Sequence, residues 1–239
     1  MTQPEFLKVK LFADGADLDG MLAMYRLTYI KGFTTNPTLM RKAGVTDYKA
    51  FARRVLAAIP DRPVSFEVFA DDLAEMEQQA RRIAAWGKNV NVKIPVTNTA
   101  GTFTGAVIRN LSKAGISLNI TAGMTVAQVR EIAGALADGT PAIVSVFAGR
   151  VADTGVDPMP HMRNCKQALS SRPRAELLWA SPRELLNIFQ AEEVGCDIIT
   201  ATNDILAKLA IVGKDLDEYS LETVKMFYQD AKASGFVIQ

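Results

Sequence analysis

What most restricts this chain is an alternation that runs nearly end to end. A short apolar run of period two is followed by a turn, then by a longer stretch with apolar residues at helical spacing. Strands are predicted over residues 7–13, 30–34, 64–68, 89–96, 117–121, 141–146, 176–180 and 197–201, eight in all. Helical patterns fill residues 18–27, 48–58, 71–86, 102–114 and 125–136, with another ending near Leu169. The next helix is expected to open at Ser181-Pro182-Arg183, with Ser181 as N-cap and Pro182 in the first turn. Gly195-Cys196 closes that helix, Gly115 closes the one over 102–114, and a last helix is expected over 221–233. Residues 147–150 read as a loop, and 151–158 as the only long irregular stretch. The pattern predicts an α/β chain, a single (β/α)8 barrel over 1–239 with an extra helical tail from about 218 to 239. An open doubly wound sheet fits less well, because no Gly-x-Gly-x-x-Gly follows a strand.

Composition narrows the function. Basic and acidic residues nearly cancel to a formal charge of +1, so nothing calls for nucleic acid or an anionic membrane as partner. Residues 1–8 lack the apolar core of a leader, and no apolar run approaches a membrane span, so a cytoplasmic protein is expected. Cys165 and Cys196 stand far apart and His161 is the sole histidine, which leaves no pattern for a metal site. His161, beside Met159-Pro160, is expected to have a surface role.

One strand carries a feature that packing does not ask for. In Asn89-Val90-Asn91-Val92-Lys93-Ile94, alternation puts Asn89, Asn91 and Lys93 on one face and the aliphatic residues on the other. Partial dehydration disfavours the ammonium form of a lysine and makes a neutral amine available to attack a carbonyl, so Lys93 is a candidate Schiff-base nucleophile. The alternative is a strand-end lysine that reaches water along its own stem.

In a (β/α)8 barrel the active site lies at the carboxyl ends of the strands. That rule selects Asp14, Asn36, Glu67, Lys93, Thr121, Phe147 and Arg150, and Ser181 with Arg183. Glu67 and Asp14 suit the proton transfers of imine chemistry, Asn36 could hold a substrate hydroxyl, and Arg150 and Arg183 could bind phosphate. Arg183 would be helped by the helix N-terminus behind Ser181. Each also has a structural reading. Asp14 could cap the following helix, Asn36-Pro37 could be only a turn, Glu67 could pair with a barrel lysine such as Lys10, and Thr121 could be an N-cap or barrel filler. Arg150 and Arg183 could be solvated surface charges.

Four stretches carry a resemblance: Phe33-Thr34-Thr35-Asn36-Pro37-Thr38, Val92-Lys93-Ile94-Pro95-Val96-Thr97, Leu118-Asn119-Ile120-Thr121 and Gly195-Cys196-Asp197-Ile198-Ile199-Thr200. Together they resemble the transaldolase family, in its small-barrel branch with the fructose-6-phosphate and dihydroxyacetone aldolases. The resemblance implies that Lys93 forms an imine with a ketose phosphate and Asp14 moves a sugar hydroxyl proton, with Glu67 and Thr121 positioning a water. It further implies that Asn36 and Asn119 bind the dihydroxyacetone part, and that Arg150, Ser181 and Arg183 hold phosphate. No metal or organic cofactor is implied. Sugar phosphates would be the substrates, and a homo-oligomeric ring would form through the C-terminal helix.

The transferases of the family resemble this chain in having a carboxylate at position 67 and phenylalanine at 147, where the aldolases have glutamine and tyrosine. The alternatives are an aldolase of the same family and a non-catalytic barrel paralogue. Two departures stand out. Ser181-Pro182-Arg183 replaces the usual Ser-Phe-Arg, and Trp179 stands where a small residue is usual. Trp179 shares strand parity with Ser181, so it faces either the pocket or the core.

Overall fold

The computed structural model describes residues 7–238. Residues 1–6, in the stretch read above as carrying no leader, and residue 239 lie outside the described residues. The chain alternates as the sequence predicts. Strands β1 (Lys10–Asp14), β2 (Ile30–Thr34), β3 (Val64–Glu67), β4 (Val90–Pro95), β5 (Leu118–Gly123), β6 (Ala142–Val146), β7 (Ala175–Trp179) and β8 (Ile198–Thr202) are separated by helices. All pair in parallel in sequence order, and β8 closes on β1, giving a barrel with no open edge.

The helices are α1 (Leu18–Tyr25), α2 (Pro37–Lys42), α3 (Tyr48–Ala58), α4 (Leu73–Ala84), α5 (Gly105–Lys113), α6 (Val126–Ala135), α7 (Ala148–Asp153), α8 (Pro158–Ala168), α9 (Leu186–Glu193), α10 (Asn203–Ala207) and α11 (Leu216–Ser234). Most begin where a short polar side chain covers the free amides of the first turn. Asp17, Asn36, Asp47, Asp72, Thr125, Asp157 and Asp215 all do so. Asp17, not Asp14, caps α1, and Thr125, not Thr121, caps α6, so both strand-end residues are left free for another use. Gly115 ends α5 at φ +76°, as its position predicts.

Period-two alternation sorts the strand residues into two layers. Val64, Phe66, Val90, Val92, Ile94, Leu118, Ile120, Val144, Val146, Leu177 and Ile199 point outward, into the main core shared with the helices. Inside the barrel, Phe12, Ile143, Leu178, Ala180 and Ile198 form a separate apolar plug, with Phe147 against it. Phe12 needs the room that Gly32 leaves, because a Cβ there would sit 2.5 Å from its ring. Lys10 pairs with Glu176 at the amino-terminal end of the barrel, far from Glu67. The plug separates the amino-terminal mouth from the carboxyl-terminal one.

The structure departs from the sequence reading over residues 147–153, at Ser181, at His161 and at the start of the last helix. Residues 147–153 are not loop and irregular chain: Phe147 leads into the six-residue α7, and Gly155 at φ +82° turns the chain toward α8. The helix has no capping side chain, and the burial of Ala148, Gly149 and Val151 holds it in place. Ser181 is not an N-cap. It adopts φ +56°, and α9 starts only at Leu186; Asn187 Oδ1 accepts from the Arg183 and Glu184 amides that a cap would have covered.

Trp179 is fully buried in the outer core, and among the described residues its Nε1 has no partner. The left-handed turn at Ser181 breaks the parity on which a pocket-facing Trp179 would depend. His161, finally, is partly buried, and its Nε2 lies 2.7 Å from Met124 O, tying α8 to the end of β5.

α11 begins five residues earlier than the apolar spacing suggests, at the Asp215 cap, and has no buried residue. Leu221, Val224, Phe227 and Tyr228 are all more than half exposed on it. Among the described residues no helix is long and apolar enough to cross a membrane.

Candidate active site

The carboxyl ends of the strands surround a cavity of about 450 Å³. It is lined by nine of the ten residues singled out from the sequence: Asp14, Asn36, Glu67, Lys93, Asn119, Thr121, Phe147, Arg150 and Ser181. Arg183 does not line it.

Lys93 is buried, with 7% of its surface exposed. Its Nζ donates to Thr35 O at 2.8 Å and lies 3.1 Å from Glu67 Oε2. β3 and β4 set this pair directly, because Glu67 and Lys93 are register partners with the same inward parity. Glu67 therefore answers Lys93 and not Lys10.

Asp14 closes β1. Its Oδ1 accepts from Thr34 Oγ1 at 2.8 Å and its Oδ2 from Asn36 Nδ2 at 3.3 Å. Burial raises the Asp14 carboxyl above its ordinary range, opposed by the positive charge of Lys93 and by these two hydrogen bonds. Asn36 does two things at once. Its Oδ1 caps α2 through Leu39 N at 2.9 Å while its Nδ2 faces Asp14.

The floor is a fixed polar chain. Ser145 Oγ donates to Asn119 Oδ1 at 2.7 Å, and Asn119 Nδ2 donates to Ser65 Oγ at 3.1 Å, so one amide hydrogen of Asn119 remains for a ligand. Thr34 and Thr200 meet at 2.5 Å between their hydroxyls. Sequence reasoning missed Thr34, Ser65, Ser145 and Thr200. Inward strand parity was the signal that could have found them.

At the rim, the Arg150 guanidinium sits 5.3 Å from the centre of the Phe147 ring. No acidic partner meets it among the described residues. Arg183 is held outside the cavity by a two-pronged ion pair with Asp153, its Nε 3.0 Å from Asp153 Oδ1. The late start of α9 is the reason: Arg183 lies on a loop and not in a first helical turn aimed at the pocket. Gly149 joins the two sides of the rim. Its amide donates to Ala180 O, and a Cβ on it would fall 1.6 Å from Ser181 O.

Among the described residues no cluster of three His, Cys, Asp or Glu could hold a metal ion. Other depressions exist, one of them at the amino-terminal mouth beside Lys10, Lys31, Asn91 and Glu176, but none has more polar groups converging from different strands.

Fold and cavity together define a closed parallel barrel with a lysine-centred pocket at its carboxyl mouth. The model of the family described as "Transaldolase/Fructose-6-phosphate aldolase" matches residues 11–238, and the chain belongs to that family, as an enzyme of the transaldolase type. It is 36% identical over 202 residues to a probable transaldolase of Dehalococcoides mccartyi, covering 84% of this chain and 90% of that one. A probable transaldolase of Methanococcus maripaludis is 34% identical over the same share of this chain and 89% of its own. Among solved structures, a dihydrodipicolinate synthase from Rhodopseudomonas palustris superposes with a TM-score of 0.60 over 96% of this chain and 81% of that one. At 17% identity that likeness speaks for the fold alone.

Proposed function

We propose that the chain moves a dihydroxyacetone unit from a ketose phosphate to an aldose phosphate through a Schiff base on Lys93. The observation that carries this reading is the buried Lys93 amine, 3.1 Å from the Glu67 carboxylate and inside a ring of hydrogen-bonding groups. The neutral amine adds to the ketone carbon of the donor sugar. Loss of water from the carbinolamine gives an iminium, with Glu67 and Thr121 holding that water and Glu67 relaying the protons. Asp14 then takes the proton of the hydroxyl two carbons from the imine. The carbon–carbon bond between them breaks, an aldose phosphate leaves, and the electron pair remains on Lys93 as an enamine. A carboxyl raised by burial but held near a cation suits this exchange of one proton. The enamine attacks the acceptor aldehyde, Asp14 returns its proton to the new alkoxide, and water releases the product ketose.

Asn36 Nδ2 and the free amide hydrogen of Asn119 bind the hydroxyls of the three-carbon unit. Arg150 and Ser181 hold phosphate, joined by Arg183 once it leaves Asp153. Phe147 favours transfer over release of free dihydroxyacetone, because it supplies no hydroxyl to orient a water for protonating the enamine. The apolar side chains along α11 support a homo-oligomer in which a neighbouring copy covers them. Light scattering on the whole chain tests this, and a monomer at micromolar concentration would refute it.

Borohydride reduction with fructose 6-phosphate tests the main reading. The natural protein should gain covalent mass on Lys93. Lys93→Arg should gain none, because a guanidinium supplies no free amine at neutral pH. Trapped adduct in that variant would overturn the assignment.

A further inference from the structure

Tyr48 lies outside the cavity, yet its hydroxyl meets both backbone groups of Glu67. It accepts from Glu67 N at 2.7 Å and donates to Glu67 O at 3.0 Å. The reason lies in how β2 ends. Phe33 N donates to Pro63 O and Thr35 N to Ser65 O, so β2 and β3 bond through their odd-numbered residues here. The next two bonds of that ladder would run from Glu67 N to Thr35 O and from residue 37 N to Glu67 O. Neither forms. Pro37 has no N–H to give, and Thr35 O instead accepts the Lys93 ammonium at 2.8 Å. The tip of β3 that carries Glu67 would therefore lack its neighbour on this side, at the residue that faces Lys93.

From this arrangement we infer that Tyr48 is a positioning residue for the proposed chemistry: its hydroxyl replaces the missing strand, seats Glu67, and leaves Thr35 O to Lys93. This rests on the role proposed above for Glu67. The surroundings fit a fixed post. Tyr48 opens α3, the helix capped by Asp47. Its ring is gripped edge-on by Phe66 and Trp86, with centroids 6.1 and 5.2 Å away, and by Phe69 at 4.7 Å. Burial raises the phenol well above its ordinary range, so the hydroxyl keeps the proton that it donates to Glu67 O. Without it, the Glu67 amide has only Thr35 O to turn to, in competition with Lys93.

The test is a cycle of four proteins: the natural chain, Tyr48→Phe, Glu67→Ala and the double variant. The readouts are the rate of borohydride-trapped adduct at saturating fructose 6-phosphate, and turnover with erythrose 4-phosphate as acceptor. Tyr48→Phe should lower the trapping rate and kcat by roughly tenfold or more with little change in KM, the cost of a carboxylate displaced by a fraction of an ångström. In the Glu67→Ala background the same substitution should cost less than about threefold, because coupled sites are not additive. The drop in Tm should be similar in both backgrounds.

Equal fold losses in the two backgrounds would make Tyr48 merely structural and overturn the inference. A Glu67→Ala protein that traps adduct as fast as the natural one would instead overturn the role of Glu67, and the inference with it. Should Tyr48→Phe fold poorly, para-aminophenylalanine at position 48 keeps both a donor and an acceptor. It should restore the trapping rate; failure to do so in a folded protein counts against Tyr48.

Discussion

Gly149→Ala is the sharpest probe of how the rim of the cavity is built. An added Cβ would lie 1.6 Å from Ser181 O and 2.7 Å from Ser181 C, where contacts under 3.0 Å essentially never occur. Relief needs a movement of about 1.4 Å, the difference between those limits, and both obstructing atoms are backbone. No rotamer change can supply it. Either α7 lifts away or the Ser181 turn does, and the bond from Gly149 N to Ala180 O stretches beyond its present 3.3 Å. Overpacking of this kind costs about 1–3 kcal/mol, and an obstruction by main chain belongs at the upper end. For a chain of this size that corresponds to a fall in Tm of roughly 5–10 °C.

The functional cost should be more selective. Arg150 rides on α7 and Ser181 on the opposing turn, so the groups proposed to hold phosphate separate while Lys93, deep on β4, stays in place. KM for fructose 6-phosphate should rise about tenfold, with a larger loss in kcat/KM if alignment of the donor also suffers. Borohydride trapping of unphosphorylated dihydroxyacetone on Lys93 should change little. Thermal melting and steady-state kinetics on the purified variant give both numbers. An unchanged Tm with an unchanged KM would refute the reasoning, since the backbone would then have absorbed the methyl group without moving the rim.

Three further outcomes follow from the geometry. Phe147→Tyr, alone or with Glu67→Gln, should raise release of free dihydroxyacetone from fructose 6-phosphate; a natural enzyme that already releases it as fast as it transfers it would overturn the transferase reading. Arg150→Ala should raise KM for phosphorylated sugars more than Arg183→Ala does. Among the described residues Arg150 faces the cavity without an acidic partner, and loss of a charged hydrogen bond costs about 1.5–3 kcal/mol, whereas Arg183 must first leave Asp153. Equal effects would place Arg183 in the site as a full partner. Asp14 is raised above its ordinary value of 3.8, so the native state holds its proton to higher pH than the unfolded chain does. Its contribution to stability should therefore fall as pH rises from 3.8 through the raised native value and stay constant above it. Urea unfolding of the natural protein and Asp14→Asn across that range should show the variant gaining relative stability as pH rises; a pH-independent difference would refute it.

The sequence alone determined the barrel and most of its rim. Strand parity and the positions of strand ends are local properties, so the inward placement of Asp14, Glu67, Lys93, Asn119, Thr121 and Phe147 could be read from period-two patterns and turn residues. The same rule would have found Ser65, Ser145 and Thr200 had it been carried along every strand. What only the tertiary structure decided depends on residues distant in the chain. Arg183 stays out of the pocket because α9 starts late and Asp153, thirty positions earlier, stands beside it. α7 exists because Gly149 fits under the carbonyl of Ser181, not because of its own helical signals. Trp179 faces the helices with Leu177 by the parity of β7, and Ser181 nonetheless reaches the cavity because the chain turns left-handed there; no parity count crosses such a turn. Tyr48 gave no sign from its place at the start of a helix. Its proposed importance arises where Pro37 ends the β2–β3 ladder and leaves Glu67 without a partner on the β2 side, a gap that appears only when the strands lie side by side.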